Sequence, residues 1–203
     1  MARDDAAESD AIIVTARKVP EPLIMVPASL SVLAASDLDR ARLRSFADLT
    51  GVIPNIASSG GIGQLQGQIA IRGIATLVRN IGVEGGVGVY VDGVYVGRPD
   101  AYSQELLDVA QVEVLRGPQG TIFGKNTVAG VVSISSALPT TELSGSARME
   151  AGNFGLVRAQ AVVSGPLSGD AVTGRLALGY ASRDGVYRHV SGGRDADAVD
   201  VFS

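Results

Sequence analysis

The chain has 203 residues, of which 46% are hydrophobic, and a formal net charge of -4. This is enough for one domain of ordinary size, or for one domain and part of another. It has no cysteine and a single histidine, His189, which excludes a disulfide framework, thiolate metal sites and most Ser/His/Asp chemistry. The mildly acidic balance does not favour nucleic acid as a partner.

The first 28 residues read as a tail and a linker. Residues 1–10 are small and charged, which predicts disorder, and they lack the apolar core of a signal peptide. Residues 11–18, AIIVTARK, are β-prone but have no partner strand close in sequence. An ordinary edge strand of the domain is the alternative reading of this run. Pro20, Pro22 and Pro27 predict a stiff linker after it.

A strand and two short helices are predicted next. Ser29 to Leu33 reads as a strand, and helices are expected at about 37–43 and 46–50. Each helix start carries a Ser followed three residues later by an acid, Asp39 or Asp48. That spacing is typical of a capping box, in which the acid accepts a backbone N–H at the start of the helix.

Two glycine-rich stretches are superficially similar to nucleotide-binding loops. Residues 61–67 have the glycines of a dinucleotide loop, but the following segment, 68–72, reads as a strand where a helix is needed. In residues 120–127, three residues separate the glycines where four are required, and Asn126 replaces the magnesium-binding Ser or Thr. We therefore predict no nucleotide cofactor.

Residues 89–96, VYVDGVYV, are predicted to form a hairpin with Asp92 and Gly93 at its turn. Asp-Gly between two apolar runs is a strong hairpin signal, because both turn residues must take positive φ. Tyr90 and Tyr95 are either ligand contacts or cross-strand packing, of which packing is the commoner arrangement.

Residues 111–135, QVEVLRGPQGTIFGKNTVAGVVSIS, join two strands through a compact Gly-Pro loop. The first strand alternates apolar and polar residues and is predicted to be half-buried, with Val112 and Val114 on its apolar face. Glu113 and Arg116 are charges inside or beside this strand. Each is expected to meet an opposite charge.

The pattern changes after a boundary at 137–140. Three runs of alternating apolar and polar residues follow, at about 143–151, 156–164 and 173–183, each long enough for a tilted strand to cross a bilayer. Such alternation is typical of outer-membrane barrels, and a small soluble sheet is the alternative. The polar residues from Asp184 onward are predicted to begin a loop.

Three motifs carry a resemblance to a known family: Ile-Arg-Gly at 71–73, the hairpin at 89–96, and VEVLRGPQGTIFGKNTVAGVVSI at 112–134. They resemble the plug domain of TonB-dependent outer-membrane receptors. Plugs of that family are small α+β domains lodged inside a large outer-membrane barrel. The receptors import scarce ligands such as ferric siderophores, vitamin B12 or glycans, with energy that TonB passes from the inner membrane.

The resemblance implies a fold class and a division of the chain. We expect an α+β plug domain followed by the first antiparallel strands of a transmembrane β-barrel, which is incomplete. The expected units are a disordered tail at 1–19 containing a TonB-box-like segment at 11–18, the plug at 20–138, and about three barrel strands at 142–203. A plugged transporter needs about 22 strands, so we expect either an N-terminal fragment of a longer receptor or a truncated reading frame. The true start or a signal peptide is expected to be missing, and the chain alone should transport nothing.

The resemblance also assigns site residues. The TonB-binding residues would add a strand to the partner's sheet through their backbone, and they are Ile12, Ile13, Val14, Thr15 and Ala16. The expected contacts between plug and barrel are Arg72, Glu113 and Arg116. The candidate ligand-facing residues are Tyr90 and Tyr95.

The function implied is active uptake of a scarce ligand, with a ferric siderophore as the default by analogy. The implied partners are the periplasmic C-terminal domain of TonB, the imported ligand and the outer membrane. No enzyme activity, cofactor, metal or nucleic acid is expected. The alternative is a soluble periplasmic plug-like binding module without a barrel, which the gene sequence beyond Ser203 would distinguish.

Overall fold

The computed structural model describes the following residues: 12–15, 18–60, 67–75, 85–97, 106–169, 172–185 and 198–203. The strands of this part of the chain are, in order, β1 Ile13–Val14, β2 Glu21–Pro22, β3 Ser29–Ala34, β4 Ile56–Gly60, β5 Gly67–Ile71, β6 Val87–Val91, β7 Val94–Tyr95, β8 Val109–Arg116, β9 Gly130–Ser136, β10 Ser144–Ala151, β11 Val157–Ser168, β12 Val172–Arg183 and β13 Val199–Phe202. The helices are α1 Ala35–Arg40, α2 Phe46–Leu49 and α3 Gly120–Phe123, with a 3-10 turn at Leu23–Met25. Within the described ranges, no helix is both long and apolar enough to cross a membrane.

A five-stranded mixed sheet forms the centre of the first part of the chain. Its strand order is β3-β8-β9-β6-β7, with β6 and β9 parallel and the other neighbours antiparallel. The predicted hairpin is confirmed: β6 pairs with β7, and the turn residues Asp92 and Gly93 have φ of 48° and 79°. Both angles are positive, as a tight two-residue turn requires.

One face of this sheet carries the larger core cluster. Val112 and Val114 on β8 pack with apolar residues of the two helical segments, among them Leu38 and Phe46. The two predicted helices are confirmed in place, although both are shorter than expected. Each presents only one turn or so of apolar residues to the sheet, so tertiary packing sustains them rather than helix propensity.

The other face of the sheet is buried as well, which corrects the prediction of a half-buried strand. Leu115 on β8 packs with Val131, Tyr90 and Val14 in a second cluster. Residues 112–115 are consequently all buried, Glu113 included. The cause is the N-terminal arm, defined here as the described residues between 12 and 26, which folds over the face that the alternating pattern left for solvent.

The N-terminal arm also corrects two predictions about the start of the chain. The β-prone run does have a partner close in sequence, because Ile13 pairs with Pro22 and Val14 with Glu21. The proline-rich stretch is therefore not simply a linker. Proline is tolerated in β2 because an edge strand does not need every backbone N–H for pairing.

A four-stranded antiparallel sheet, β10-β11-β12-β13, forms the second part of the described chain. Its first three strands confirm the three predicted alternating runs. The fourth corrects the expected loop: Val199–Phe202 pairs with Tyr180–Arg183. In this register Phe202 lies beside Tyr180 on the outward face, whereas Val199 and Val201 lie on the opposite face.

The two faces of the four-stranded sheet differ in chemistry. One face exposes large apolar side chains, among them Met149, Leu176 and Phe202. The opposite face carries Arg148 and Arg175, which reach back to the first part of the chain. A sheet with an apolar outer face and a charged inner face is the arrangement of a membrane barrel wall.

Candidate functional site

Glu113 is the residue on which the N-terminal arm is fixed. Its side chain is fully buried, and its Oε1 accepts hydrogen bonds from the Thr15 backbone N–H (2.7 Å) and the Thr15 hydroxyl (3.1 Å). Gln111, two residues earlier on β8, donates from Nε2 to the same oxygen at 2.6 Å. Glu113 Oε2 has no hydrogen-bond partner among the residues that the structure describes. Oε1 therefore accepts three hydrogen bonds, whereas Oε2 is buried and accepts none from the described residues.

Apolar and aromatic contacts reinforce this attachment. Val14 is fully buried, and Leu23 and Val26 of the arm pack against the same cluster. The Leu23 N–H donates to the Ile12 carbonyl at 2.8 Å, which closes the arm into a hairpin. The Lys18 ammonium lies 5.4 Å from the centre of the Phe123 ring, within range of a cation–π attraction.

The predicted TonB-binding residues therefore lie against the mixed sheet in this conformation. Ile12 and Ile13 are about half exposed, Thr15 is exposed, and Val14 is buried. Ala16 lies outside the described residues. Val14 packs in the second core cluster and Thr15 hydrogen-bonds to Glu113, and these contacts hold the segment against the mixed sheet.

Of the three predicted contacts to a barrel wall, two lie at the surface and one does not. Arg116 donates to the hydroxyls of Ser29 (3.0 Å) and Ser31 (2.9 Å). Arg72 is exposed, with its Nη1 beside the glycine turn that follows Arg116. Within the described part of the chain, neither guanidinium pairs with a carboxylate. Glu113 instead faces the N-terminal arm.

The two hairpin tyrosines lie on the side of the N-terminal arm. Tyr90 is 5% exposed, and its hydroxyl donates to the Phe123 carbonyl at 2.6 Å. Its ring centre is 4.9 Å from that of Phe123 and 5.5 Å from that of Tyr95. Asn126 donates from Nδ2 to the Tyr95 hydroxyl at 3.1 Å. Burial, and then the neighbouring Tyr95, raise the pKa of Tyr90.

A chain of charges that sequence reasoning missed joins the two parts of the molecule. Arg148 on β10 forms a two-pronged pair with Asp39, with N–O distances of 2.6 and 3.0 Å. Arg44 bridges Asp39 (2.9 Å) and Glu150 (3.0 Å), and Arg158 donates to Glu150 at 3.2 Å. Arg44 is the best-buried member, with its side chain 10% exposed.

The expected role of Asp39 as a helix cap is corrected by this arrangement. Asp37 accepts the Ala34 N–H at 3.2 Å and so takes the capping position, which leaves Asp39 free for the arginines. The second predicted cap is confirmed, because Asp48 accepts the backbone N–H groups of Arg44 and Ser45, each at 2.8 Å.

A second ion pair fastens the start of β8 to the four-stranded sheet. Arg175 donates from Nε and Nη2 to the two carboxylate oxygens of Asp108, at 2.5 Å each. A cleft of about 300 Å³ lies between these charges and the apolar residues Leu38 and Leu43. Among the residues described, no cluster of acids or histidines is suited to hold a metal ion.

The ion pairs of Asp39 should make the protein sensitive to acid. The Arg148 hydrogen bonds, with help from Arg44, lower the pKa of Asp39 from 3.8 to about 2. Because the folded pKa is depressed, its contribution to stability is complete above the unfolded value and is lost as the pH falls from about 4 towards 2. We expect about 1 kcal/mol, since the side chain is half exposed and solvent screens the pair.

Urea unfolding midpoints of the parent and of Asp39→Asn, measured across this pH range, check the prediction. The unfolding midpoint of the variant should be lower than that of the parent at neutral pH, and it should fall less steeply as the pH is lowered. Glu142→Gln, at an exposed acid before β10, is the control and should keep the parental slope. An unchanged slope in Asp39→Asn would contradict the assignment.

Comparison with known proteins gives a consistent set of similarities. The family model of the TonB-dependent Receptor Plug Domain matches residues 22–131, more than half of the chain. The vitamin B12 transporter BtuB of Photobacterium profundum is 25% identical over 182 residues, which are 89% of this chain and 29% of that protein.

Solved structures share the fold. The ferric yersiniabactin uptake receptor FyuA from Yersinia pestis is 26% identical with a TM-score of 0.71, over 83% of this chain and 26% of that one. The alcaligin receptor FauA from Bordetella pertussis is 17% identical with a TM-score of 0.69, over 91% of this chain and 32% of that one. The chain thus spans about a third or less of the length of each of these proteins.

Proposed function

Because the chain belongs to the TonB-dependent receptor plug-domain family, we propose that it is the plug and the first barrel strands of an outer-membrane receptor that actively imports a scarce ligand. The observation that carries the proposal is the join between the two sheets. A plug-type mixed sheet continues directly into antiparallel strands whose outward side chains are apolar and whose inward arginines pair with the plug.

A soluble plug-like module without a barrel is less favoured by the same observation. Met149 is 80% and Phe202 77% exposed, together with other large apolar residues on that face. A soluble domain seldom exposes a continuous apolar face of this kind, whereas a lipid-facing barrel wall requires one.

The imported ligand is proposed to be a ferric siderophore, with vitamin B12 as the second candidate. FyuA and FauA are receptors for ferric yersiniabactin and alcaligin, and BtuB transports vitamin B12. The uptake of a ferric complex by FyuA, the more similar of the two solved structures, supports the first of these candidates.

The energy-coupling partner is proposed to be the periplasmic C-terminal domain of TonB, which would bind residues 12–16 by strand addition. The β-prone sequence of that segment supports this, since strand addition uses the backbone and tolerates many side chains. Arg72 and Arg116 lie at the plug surface without carboxylate partners in the described residues. We propose that acids on the remaining barrel wall meet them.

Uptake assays test the proposal. The full-length receptor is expressed in cells lacking their own siderophore and B12 receptors, with and without TonB. Radiolabelled iron is supplied as hydroxamate, catecholate and phenolate siderophore complexes, and labelled cyanocobalamin is supplied separately. We expect uptake of at least one probe that depends on both receptor and TonB. Receptor-dependent uptake that persists without TonB would contradict the energy coupling, and uptake of none of the probes would contradict the ligand class.

A further inference from the structure

We propose that Glu113 is a latch that holds the partner-binding segment closed against the plug until the segment is released. This inference rests on the proposed function of residues 12–16. The latch is the contact between the buried carboxylate and Thr15, two residues that are 98 positions apart in the chain.

The docked arm and a partner strand compete for the same groups. Strand addition needs free backbone donors and acceptors. In the docked arm, however, the Thr15 N–H already donates to Glu113 Oε1, and the Ile12 carbonyl already accepts from the Leu23 N–H. Val14 is fully buried in the second core cluster. A partner strand therefore cannot use this segment in full while the arm stays docked.

The latch is positioned from the plug side, independently of the arm. Gln111 lies on the same strand as Glu113 and donates to Oε1 at 2.6 Å. β8 is a central strand, paired to β3 and β9 over most of its length. The carboxylate therefore keeps its place when the arm leaves, and it is ready to recapture the Thr15 donors.

The latch holds the arm without making release prohibitive. Glu113 Oε2 has no hydrogen-bond partner within the described ranges, and a buried carboxylate oxygen without a donor carries a cost that hydration removes. Release of the arm admits water to that oxygen, which offsets part of the loss of the Thr15 bonds. A buried group satisfied on one oxygen only suits a reversible contact better than a permanent one.

Thiol labelling measures the release directly. Residues 1–203 contain no cysteine, so Val14→Cys introduces a single thiol here, and its reaction with a maleimide is followed by mass spectrometry of the peptide carrying residue 14. The full-length receptor in membranes is compared with Glu113→Ala, Glu113→Gln and Thr15→Pro backgrounds. Thr15→Pro removes the donors from the arm and leaves the plug core untouched.

We expect Glu113→Ala and Thr15→Pro each to raise the labelling rate about tenfold. Glu113→Gln keeps an acceptor oxygen at the same place and should stay within about threefold of the parent. Labelling that is unchanged in Thr15→Pro, or equally fast in Glu113→Gln and Glu113→Ala, would overturn the latch.

Affinity for the isolated TonB C-terminal domain separates the latch from the proposed function. If both hold, the faster-labelling Glu113→Ala receptor also binds that domain more tightly. Faster labelling with unchanged affinity would support the latch and contradict residues 12–16 as the partner site. Tighter binding with parental labelling would overturn the latch and leave the proposed function standing.

Discussion

Gly130→Ala is expected to unfold the plug or come close to it. Gly130 begins β9 with φ of 155°, and a methyl group there would overlap the Leu115 carbonyl oxygen and approach Ile71 Cδ1 to 2.9 Å. The carbonyl belongs to the neighbouring central strand and cannot rotate away as a flexible side chain could. We expect a loss of about 3–5 kcal/mol, a large part of the total stability of a domain.

Limited proteolysis of the full-length receptor in increasing urea measures this loss, because an unfolded plug is cut where a folded one is protected. Gly120→Ala is the matched control: a methyl group at Gly120 meets no atom within 4 Å, and the residue opens a short helix. The control should resemble the parent. A Gly130→Ala plug with parental resistance would show that β8 and β9 can separate at this point without cost.

The second large effect is expected from Val14→Pro, which should reduce uptake to the level of cells without TonB. Proline removes the backbone N–H and fixes φ, so a strand that must pair with a partner is interrupted. Uptake of the best-transported probe and binding of the same probe to the receptor are both measured. Ligand binding should be retained, because the segment is not one of the strands of the mixed sheet.

Val14→Ala separates loss of pairing from loss of packing. Both substitutions empty part of the buried position that Val14 occupies, at a cost of about 1–2 kcal/mol in the alanine variant, but alanine keeps the N–H. We expect uptake by Val14→Ala to remain near the parental rate. Equal loss of uptake in the two variants would mean that docking on the plug, and not strand addition, is what transport requires.

Structural features that depend only on neighbouring residues in the chain were predictable from the sequence. The turn at Asp92 and Gly93 follows from the need for two positive φ angles, and the alternation of residues 173–183 places Arg175 and Leu176 on opposite faces without knowledge of the neighbours. Both are local properties of a backbone with a fixed period. The strand β13 carried the same signal in Val199, Asp200 and Val201, but its shortness hid it.

Contacts between distant segments were not predictable in the same way. No local sequence pattern predicts that Val14 packs over Leu115, and so one face of β8 was expected to be exposed to solvent. A clue did exist: an acid within VEVL needs buried donors, and a β-prone run such as IIVT needs a surface on which to lie. Sequence reasoning joined each to an external partner, a barrel wall or TonB, when in this conformation they satisfy one another.

The chain of charges from Arg148 through Asp39, Arg44 and Glu150 to Arg158 has an evolutionary consequence. Each of the two acids pairs with two arginines, so replacing either acid removes two ion pairs at once, whereas loss of a terminal arginine leaves every acid with a partner. Sequence drift within the family should therefore be slower at positions 39 and 150 than at 148 and 158. The exposed pair of Arg40 and Asp37 bears no such constraint and should vary freely on the arginine side.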